Sequence, residues 1–148
     1  MDDAGLRRIF EGVSGIAVVG WSPKPERPSH RVAEVLRNWG YLVVPVNPGA
    51  AGQPFHDQAV CGSLAEVGAR YGARVQMLDV FRRGEAVPAE VAAALSALPG
   101  LAVVWMQLGV VSPQAAAQAE AAGLEVVMDR CPAIELPRLY PEGVVSSS

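Results

Sequence analysis

The sequence predicts a doubly wound α/β domain, in which helices cover both faces of a parallel sheet. Helical and strand-like segments alternate along the chain of 148 residues. The strand-like segments are short and apolar throughout, which favours strands buried on both faces. Parallel strands need crossover connections, and these are almost always right-handed. We therefore expect five parallel strands in the order 3-2-1-4-5, with the topological switch point between the first and the fourth strand.

The predicted strands are short apolar runs separated by helical patterns. The first, 16–19, is wholly apolar and lies between Gly15 and Gly20. The others are expected at 41–46, 74–78, 101–105 and 124–128. This alternation predicts a Rossmann-like three-layer sandwich, with a single domain over 1–148 and a core of about 6–140. We expect the tail 144–148 to fray.

The predicted helices follow from apolar spacing and from residues typical of helix ends. An N-terminal helix shows one apolar face from Leu6 to Val13 at the i, i+3, i+4, i+7 spacing. The second is expected to begin with Ser29 as N-cap and to stop at Gly40. The remaining helices are a short one near 63–67, one entered through Pro88, one between Ser112-Pro113 and Gly123, and a final short one from Pro132.

Composition excludes several classes of protein. The net charge of −3 and the pI near 5.3 argue against nucleic acid binding through a basic surface. The apolar runs are too short for a membrane span, and the acidic start predicts no signal peptide. Cys61 and Cys131 form no CxxC pair, which is typical of reduced proteins. We expect a cytoplasmic protein with a small-molecule ligand and neither a nucleic acid nor a membrane partner; the sheet edge would allow a homodimer.

Polar residues follow each predicted strand. In open α/β sheets the ligand lies in the crevice at the carboxyl ends of the strands. The segments that meet at this edge are 20–28, 47–49, 79–83, 107–109 and 129–131. The sequence therefore predicts a ligand site there.

The segment after the first strand is the natural phosphate site. Gly20 lets the backbone approach a ligand, Ser22 offers a hydroxyl, and the positive end of the next helix lies nearby. Lys24 is the only lysine of the chain, and with Arg27 it forms part of a basic patch on an acidic protein. The alternative is that both are ordinary solvated charges in a proline-stiffened loop.

No established nucleotide-binding or metal-binding fingerprint is complete in this chain. Only Gly20 of G-x-G-x-x-G is present, and no P-loop lysine precedes Ser or Thr. An NAD-binding domain places an acidic residue after the second strand, where Asn47-Pro48 stands here. NAD is therefore a poor fit, while a mononucleotide bearing phosphates remains open. No metal site and no catalytic residue are predicted.

Two positions near the last strands each allow two interpretations. Cys131 follows Asp129-Arg130 at the start of the final helix, where its thiol pKa would be lowered, or it is a semi-buried structural cysteine. Asp129 and Arg130 stand at the ligand edge, or they form only a structural ion pair. Gln107 would hydrogen-bond a base or an amide, or would satisfy backbone at the end of its strand.

The segment after the third strand is also open to two interpretations. Phe81 and Arg82 would offer an aromatic face and a guanidinium group to an adenine or a phosphate. Alternatively, Phe81 caps the core and Arg82 pairs with Asp79.

Taken in order, these residues resemble the small stand-alone CoA-binding-domain family, whose fold is that of the nucleotide-binding part of the succinyl-CoA synthetase alpha chain. The resemblance covers about 6–140. It rests on Ala17-Val18-Val19-Gly20, Ser22-Pro23-Lys24, Arg27-Pro28-Ser29, Val46-Asn47-Pro48, Asp79-Val80-Phe81-Arg82, Trp105-Met106-Gln107-Leu108-Gly109 and Asp129-Arg130-Cys131-Pro132.

The resemblance implies that CoA binds at the strand ends, with its phosphates on the loop 20–24. Further contacts would come from Pro48, the turn at Val80-Phe81, and Gln107. Two differences from the synthetase limit which of its properties the resemblance implies for this chain. Ala50 stands where the synthetase has a lysine shortly after its proline-glycine, and the chain ends before the second domain that carries the phosphorylated histidine. Ligase activity is therefore not expected.

These observations predict a protein that binds CoA or acyl-CoA and has no catalytic activity of its own. Two alternatives stay open: an NAD(P)-binding redox protein, and a thiol-exchange protein that uses Cys131 with CoA. The residues predicted to contact CoA are Gly20, Trp21, Ser22, Pro23, Lys24, Arg27, Asn47, Pro48, Val80, Phe81, Arg82 and Gln107.

Overall fold

A parallel five-stranded sheet lies at the centre of the computed structural model, which describes residues 1–145; residues 146–148 of the tail predicted to fray lie outside this range. In chain order the strands are β1 (Gly15–Val19), β2 (Leu42–Val46), β3 (Pro54–Phe55), β4 (Gln58–Ala59), β5 (Met77–Val80), β6 (Val103–Met106) and β7 (Glu125–Val127). β3 and β4 form an antiparallel ribbon, and the other five form the sheet in the order β2-β1-β5-β6-β7. The predicted α/β class with five parallel strands is confirmed.

Six helices cover the sheet in two layers: α1 (Asp3–Gly12), α2 (Pro28–Asn38), α3 (Leu64–Tyr71), α4 (Val87–Ala97), α5 (Pro113–Ala121) and α6 (Pro132–Leu139). α1, α2 and α6 share a core with sheet residues such as Val18 and Trp105. α3, α4 and α5 share the opposite core with Val19 and Met106. Because successive strand residues enter opposite cores, the strands are apolar throughout, and the three-layer sandwich is confirmed. Within residues 1–145, no helix is both long and apolar enough to cross a membrane.

The strand order differs from the predicted 3-2-1-4-5. β5 is the third strand of the sheet along the chain, and it pairs with β1 instead of lying outside β2. Counted along the chain, the order is therefore 2-1-3-4-5. The switch point accordingly lies between β1 and β5 and not between the first and the fourth strand.

The reason for this order is that the outer edge of β2 is closed to another strand. The Pro45 carbonyl accepts a hydrogen bond from Cys61 N at 3.0 Å, and Asn47 N donates to the Cys61 carbonyl at 2.9 Å. The Gln58 side chain donates to the Val43 carbonyl at 3.0 Å on the same edge. Since the nitrogen and carbonyl of one strand residue face the same edge, Pro45 presents no N–H there. Residues 58–61 therefore cap β2, and β5 takes the free edge of β1.

The third strand also begins later than predicted. Gly72–Arg74 form a turn of 3-10 helix, so β5 starts at Met77 rather than at 74. Asp79 and Val80, predicted to follow the strand, are its last two residues. Both side chains are consequently buried within the sheet layers and do not stand at its edge.

The helix ends match the prediction in part. Ser112 caps α5 by accepting a hydrogen bond from Ala115 N at 3.1 Å, as expected. α2, however, begins at Pro28 with Arg27 as its N-cap, so Ser29 lies in the first turn and is not the predicted cap. Proline suits this first position because its fixed φ is already helical and its missing N–H would be unpaired there.

At Gly20 the loop after β1 comes close to the loop after β5. Its φ is +77°, in the left-handed region, and an added Cβ would lie 2.3 Å from the Phe81 carbonyl oxygen. Any other residue would therefore push the loop after β1 away from the loop after β5. The absence of a side chain at this position allows the two loops to share one cleft.

We expect Gly20→Ala to destabilise the fold more than Gly123→Ala does. Gly123 has a similar φ of +83°, but an added Cβ there meets nothing within 4 Å. Gly123→Ala should lower the free energy of unfolding by about 1–2 kcal/mol through backbone strain alone. Gly20→Ala should lower it by at least about 1 kcal/mol more because of the clash with Phe81. Urea denaturation of both variants measures the difference. Equal costs would contradict the close approach of the two loops.

Asp79 is a buried acid without a hydrogen-bond partner for its carboxyl group among the described residues. It lies in β5 between Val18 of β1 and Trp105 of β6, with no solvent exposure. Neither carboxyl oxygen has a hydrogen-bond partner among the described residues. Burial raises the pKa of Asp79 well above its ordinary value of 3.8, since ionisation without a partner is costly inside a protein. Burial therefore favours the neutral carboxylic acid over the carboxylate.

The raised pKa of Asp79 predicts that the contribution of this residue to stability falls as the pH rises above 3.8. In that range the unfolded chain loses the proton while the folded protein keeps it, so this contribution falls by up to about 1.4 kcal/mol per pH unit. Asp79→Asn cannot ionise, so its free energy of unfolding should rise relative to that of the wild type as the pH increases. Chemical denaturation of both proteins across this range measures the slopes. Parallel slopes would show that Asp79 is ionised in the folded protein.

Candidate functional site

Three adjoining cavities open at the carboxyl ends of the strands. The α2–α6 cavity, of about 780 Å³, lies between α2, α6 and the loops after β5 and β6. The loop cavity, of about 200 Å³, lies against the loop after β1, and the α3 cavity, of about 250 Å³, lies against the start of α3. Phe81 lines the first two, Gly20 the last two, and Arg82 the first and third. Together they form one cleft at the switch point, where ligands of such folds bind.

The loop after β1 is held in place by the first turn of α2. Ser22 N donates to Ser29 Oγ at 3.0 Å, and the Ser22 carbonyl lies 3.0 Å from His30 Nδ1. Trp21 is buried, stacks on the His30 ring at a centroid distance of 5.5 Å, and packs in the core of α1, α2 and α6. The backbone of this loop is thus fixed before any ligand arrives.

The charged side chains of the same loop remain at the surface. Lys24 and Arg27 are exposed, and Arg27 lines the loop cavity together with Ser22. Lys24 N donates to Ser22 Oγ at 3.2 Å, which tightens the turn that carries the lysine. Neither Lys24 nor Arg27 has a salt-bridge partner among the described residues. The loop therefore presents unpaired positive charge on a rigid backbone.

Asn47 ties the ends of β1 and β2 together. Its Nδ2 donates to the Trp21 carbonyl at 2.7 Å, and its Oδ1 accepts from Gly49 N at 2.8 Å. Both polar atoms of the side chain are thus engaged with backbone. Pro48, the next residue, begins a short 3-10 helix and lines the α3 cavity. Asn47 accordingly positions the loop after β1, and Pro48 faces the cleft.

The end of β5 contributes Phe81 and Arg82 to the cleft. Phe81 is half-buried against the core and lines both the α2–α6 cavity and the loop cavity. Arg82 is exposed. The alternative pairing of Arg82 with Asp79 is wrong, because both Asp79 oxygens lack a partner. Val80 is fully buried in the core of α3, α4 and α5, so its side chain does not reach the cleft.

Gln107 carries an unsatisfied acceptor at the α2–α6 cavity. The residue is only 4% exposed, lines this cavity, and its Oε1 is buried without a partner in the described chain. Its backbone N, at 3.3 Å from the Val80 carbonyl, continues the strand pairing, so the strand end does not use the Oε1. The turn after it is anchored by Asp129, whose Oδ1 accepts from Gly109 N at 2.8 Å. A buried acceptor of this kind is costly unless a ligand donor meets it.

Cys131 lines the same cavity as Gln107. It is the N-cap of α6, is 7% exposed and is a free thiol. Cys61, the other cysteine, is buried in the opposite core, where burial raises its thiol pKa. The alternative that Asp129 and Arg130 form an ion pair is wrong, because Arg130 instead contacts Glu135, with a nitrogen to oxygen distance of 3.4 Å, and Asp129 accepts from Gly109 N.

The structure brings together seven of the twelve residues predicted to contact a ligand. Those that line the three cavities are Gly20, Ser22, Arg27, Pro48, Phe81, Arg82 and Gln107. Those that do not line them are Trp21, Pro23, Lys24, Asn47 and Val80.

The apolar walls of the α2–α6 cavity were not predicted from the sequence. Val32 and Val35 of α2 and Ile134 of α6 belong to these walls. The first two share the spacing of the core face of α2, so their pattern alone does not distinguish a cavity wall from core. Ile134 stands out only in the structure, where this large apolar residue is 54% exposed.

Comparison with known proteins agrees with this architecture. A family model described as "CoA binding domain" matches residues 14–137. The chain is 33% identical over 128 residues to the uncharacterized protein YneT of Bacillus subtilis, which covers 86% of this chain and 89% of that protein. A solved structure of cell-free ID.343 from Thermus thermophilus is 33% identical, with a TM-score of 0.81 over 95% of this chain and 100% of that one. A hypothetical protein from Pyrococcus horikoshii OT3 is 31% identical, with a TM-score of 0.82 over 94% and 92% of the two chains. The chain therefore belongs to the CoA-binding-domain family.

Proposed function

We propose that this protein is a cytoplasmic CoA-binding or acyl-CoA-binding protein without catalytic activity of its own. The observation that carries the proposal is Gln107, which lines a cavity adjoining a cationic loop and whose Oε1 is buried without a partner among the described residues. CoA has phosphates at one end and an arm with amide N–H donors at the other. The cleft offers complementary groups for both ends. Membership of the family supports the same ligand.

The phosphates of CoA are assigned to the loop after β1. Gly20 permits close approach of the backbone, and Ser22 and Arg27 line the loop cavity. α2 begins at Pro28, so the positive end of its dipole faces the same place. Lys24 stands on the adjoining turn, where its exposed side chain adds a positive charge to the same loop.

The two remaining parts of CoA are assigned to the cavities on either side of this loop. An amide of the pantetheine arm would donate to Gln107 Oε1, which satisfies the buried acceptor. The α3 cavity, with Pro48 and Ser63 in its wall, would take the nucleoside. The three parts of the ligand thereby correspond to three cavities that share residues at their borders.

The geometry at Asn47 disfavours the NAD(P) alternative. An NAD-binding domain needs a free acidic side chain after its second strand to bind the ribose hydroxyls. Here that place is held by an amide whose two polar atoms already bond to Trp21 and Gly49. The net charge of −3 likewise supports a small-molecule ligand rather than a nucleic acid.

We expect isothermal titration to detect binding of CoA, and tighter binding of CoA than of NAD or NADP. Lys24→Ala should weaken CoA binding by about 1–2 kcal/mol, a factor of roughly 5 to 30, because it removes a charge-assisted contact to phosphate. Arg37→Ala, at the far end of α2, is the matched control and should leave affinity unchanged. If titration with CoA at about millimolar concentration gives no heat of binding, or if NAD(P) binds more tightly than CoA, the proposal is refuted.

The position of Cys131 favours a second candidate, thiol exchange with CoA disulfide. Cys131 lines the cavity assigned to the pantetheine arm, at whose end the CoA sulfur lies. The Cys131 thiolate would attack one sulfur of CoA disulfide, so that a mixed disulfide forms and one CoA leaves as its thiolate. The oxidant is the CoA disulfide itself.

Incubation with CoA disulfide followed by mass spectrometry tests this candidate. We expect the wild-type protein to gain one CoA, and Cys61→Ser, which leaves the cavity intact, to gain it as well. Cys131→Ser should gain none. If the wild-type protein stays unmodified, or if the modification persists in Cys131→Ser, the exchange function is excluded.

A further inference from the structure

We infer that the α2–α6 cavity holds the apolar acyl chain of a CoA thioester, so that the preferred ligand is an acyl-CoA of medium chain length rather than free CoA. This inference rests on the proposed function and names the ligand class of the same site. It follows from the size of the cavity, the chemistry of its walls and the apolar side chains at its mouth.

The cavity is larger than the pantetheine contact at Gln107 requires. Its volume of about 780 Å³ is near the upper part of the range of about 300–1,000 Å³ for small-molecule sites. Val32 and Val35 form one wall, and Val110 and Ala133 line other parts of it. Beyond Gln107 the lining offers mainly surface that a hydrocarbon chain would remove from water.

Large apolar side chains are also exposed at the mouth of this cavity. Leu108 is 57% exposed and Ile134 is 54% exposed, and both line it. Val111, 50% exposed, follows Val110 of the same lining. These three are half of the six large apolar residues that are exposed in the described chain. Such a concentration marks a surface that an apolar partner covers.

The charges around the cavity indicate which apolar partner this is. Arg31, Arg82 and Arg83 line its edge, and Arg27 stands in the adjoining loop cavity. A ligand that is apolar at one end and anionic at the other matches this arrangement. A second copy of the chain does not, because a symmetric dimer through this face would bring the same arginines towards each other.

A series of CoA thioesters tests the inference. Titration compares CoA with its acetyl, butanoyl, hexanoyl and octanoyl thioesters. Each methylene group that enters the cavity should tighten binding by up to about fourfold, the factor that corresponds to about 0.8 kcal/mol per buried methylene. We expect at least about tenfold tighter binding of hexanoyl-CoA than of acetyl-CoA.

Two exposed residues provide the variant and its matched control. Ile134→Glu places a charge in the lining of the cavity and should flatten the dependence of affinity on acyl chain length, measured relative to acetyl-CoA in the same variant. Leu95→Gln alters an apolar residue that is 38% exposed on α4, which belongs to the opposite layer. It should retain the full dependence on chain length. Both positions are at the surface, so folding is expected to survive either change.

The outcomes separate the inference from the function on which it rests. If CoA binds but affinity does not rise with chain length, the acyl site is refuted and CoA binding stands. If neither CoA nor any thioester binds, both are refuted. If affinity rises with acyl chain length equally in Ile134→Glu and in Leu95→Gln, the acyl chain binds outside this cavity. If affinity does not change with acyl chain length, and if the protein forms a dimer that Ile134→Glu dissociates, the exposed patch binds a second copy of the chain instead.

Discussion

The pairing of β5 with β1 is the constraint on which the rest of this structure depends. It follows from the edge of β2, which Pro45 leaves without an N–H and which residues 58–61 then cover. With β5 beside β1, the loops that leave these two strands emerge next to each other. Gly20 and Phe81 touch there through backbone, and the three cavities open around this contact.

The cleft combines a rigid backbone with unpaired functional groups. Ser29, His30 and Asn47 hold the main chain of the loop after β1, so a phosphate would meet groups already in position. The cations Lys24 and Arg27 stay at the surface, where they lose little hydration before a ligand binds. The preorganised backbone reduces the ordering cost of binding an anion, while the exposed Lys24 and Arg27 side chains would be ordered when the ligand binds.

Three buried polar side chains lack a hydrogen-bond partner among the described residues, namely Trp21, Asp79 and Gln107. Asp79 and Gln107 differ in their positions. Asp79 lies deep in the sheet, where burial raises its pKa, so its effect is on stability and on the pH dependence of stability. Gln107 cannot lose its polarity by titration, and it borders the α2–α6 cavity. A hydrogen-bond donor of a ligand in this cavity would relieve its cost. The same physical penalty thus appears once as a property of the core and once as a property of the site.

The α/β class, the five apolar strands and the edge of the sheet where the polar loops meet could be predicted from the sequence. These follow from local patterns, namely apolar runs, helical spacing and caps such as Ser112. Tertiary structure alone decided the strand order, since it depends on which edge of β2 a distant segment covers. It also decided that Asn47 and Val80 support the cleft without lining it, and that Val35 lines a cavity. Spacing along one helix or strand specifies a face, whereas the neighbour of that face is set by contacts between residues far apart in the chain.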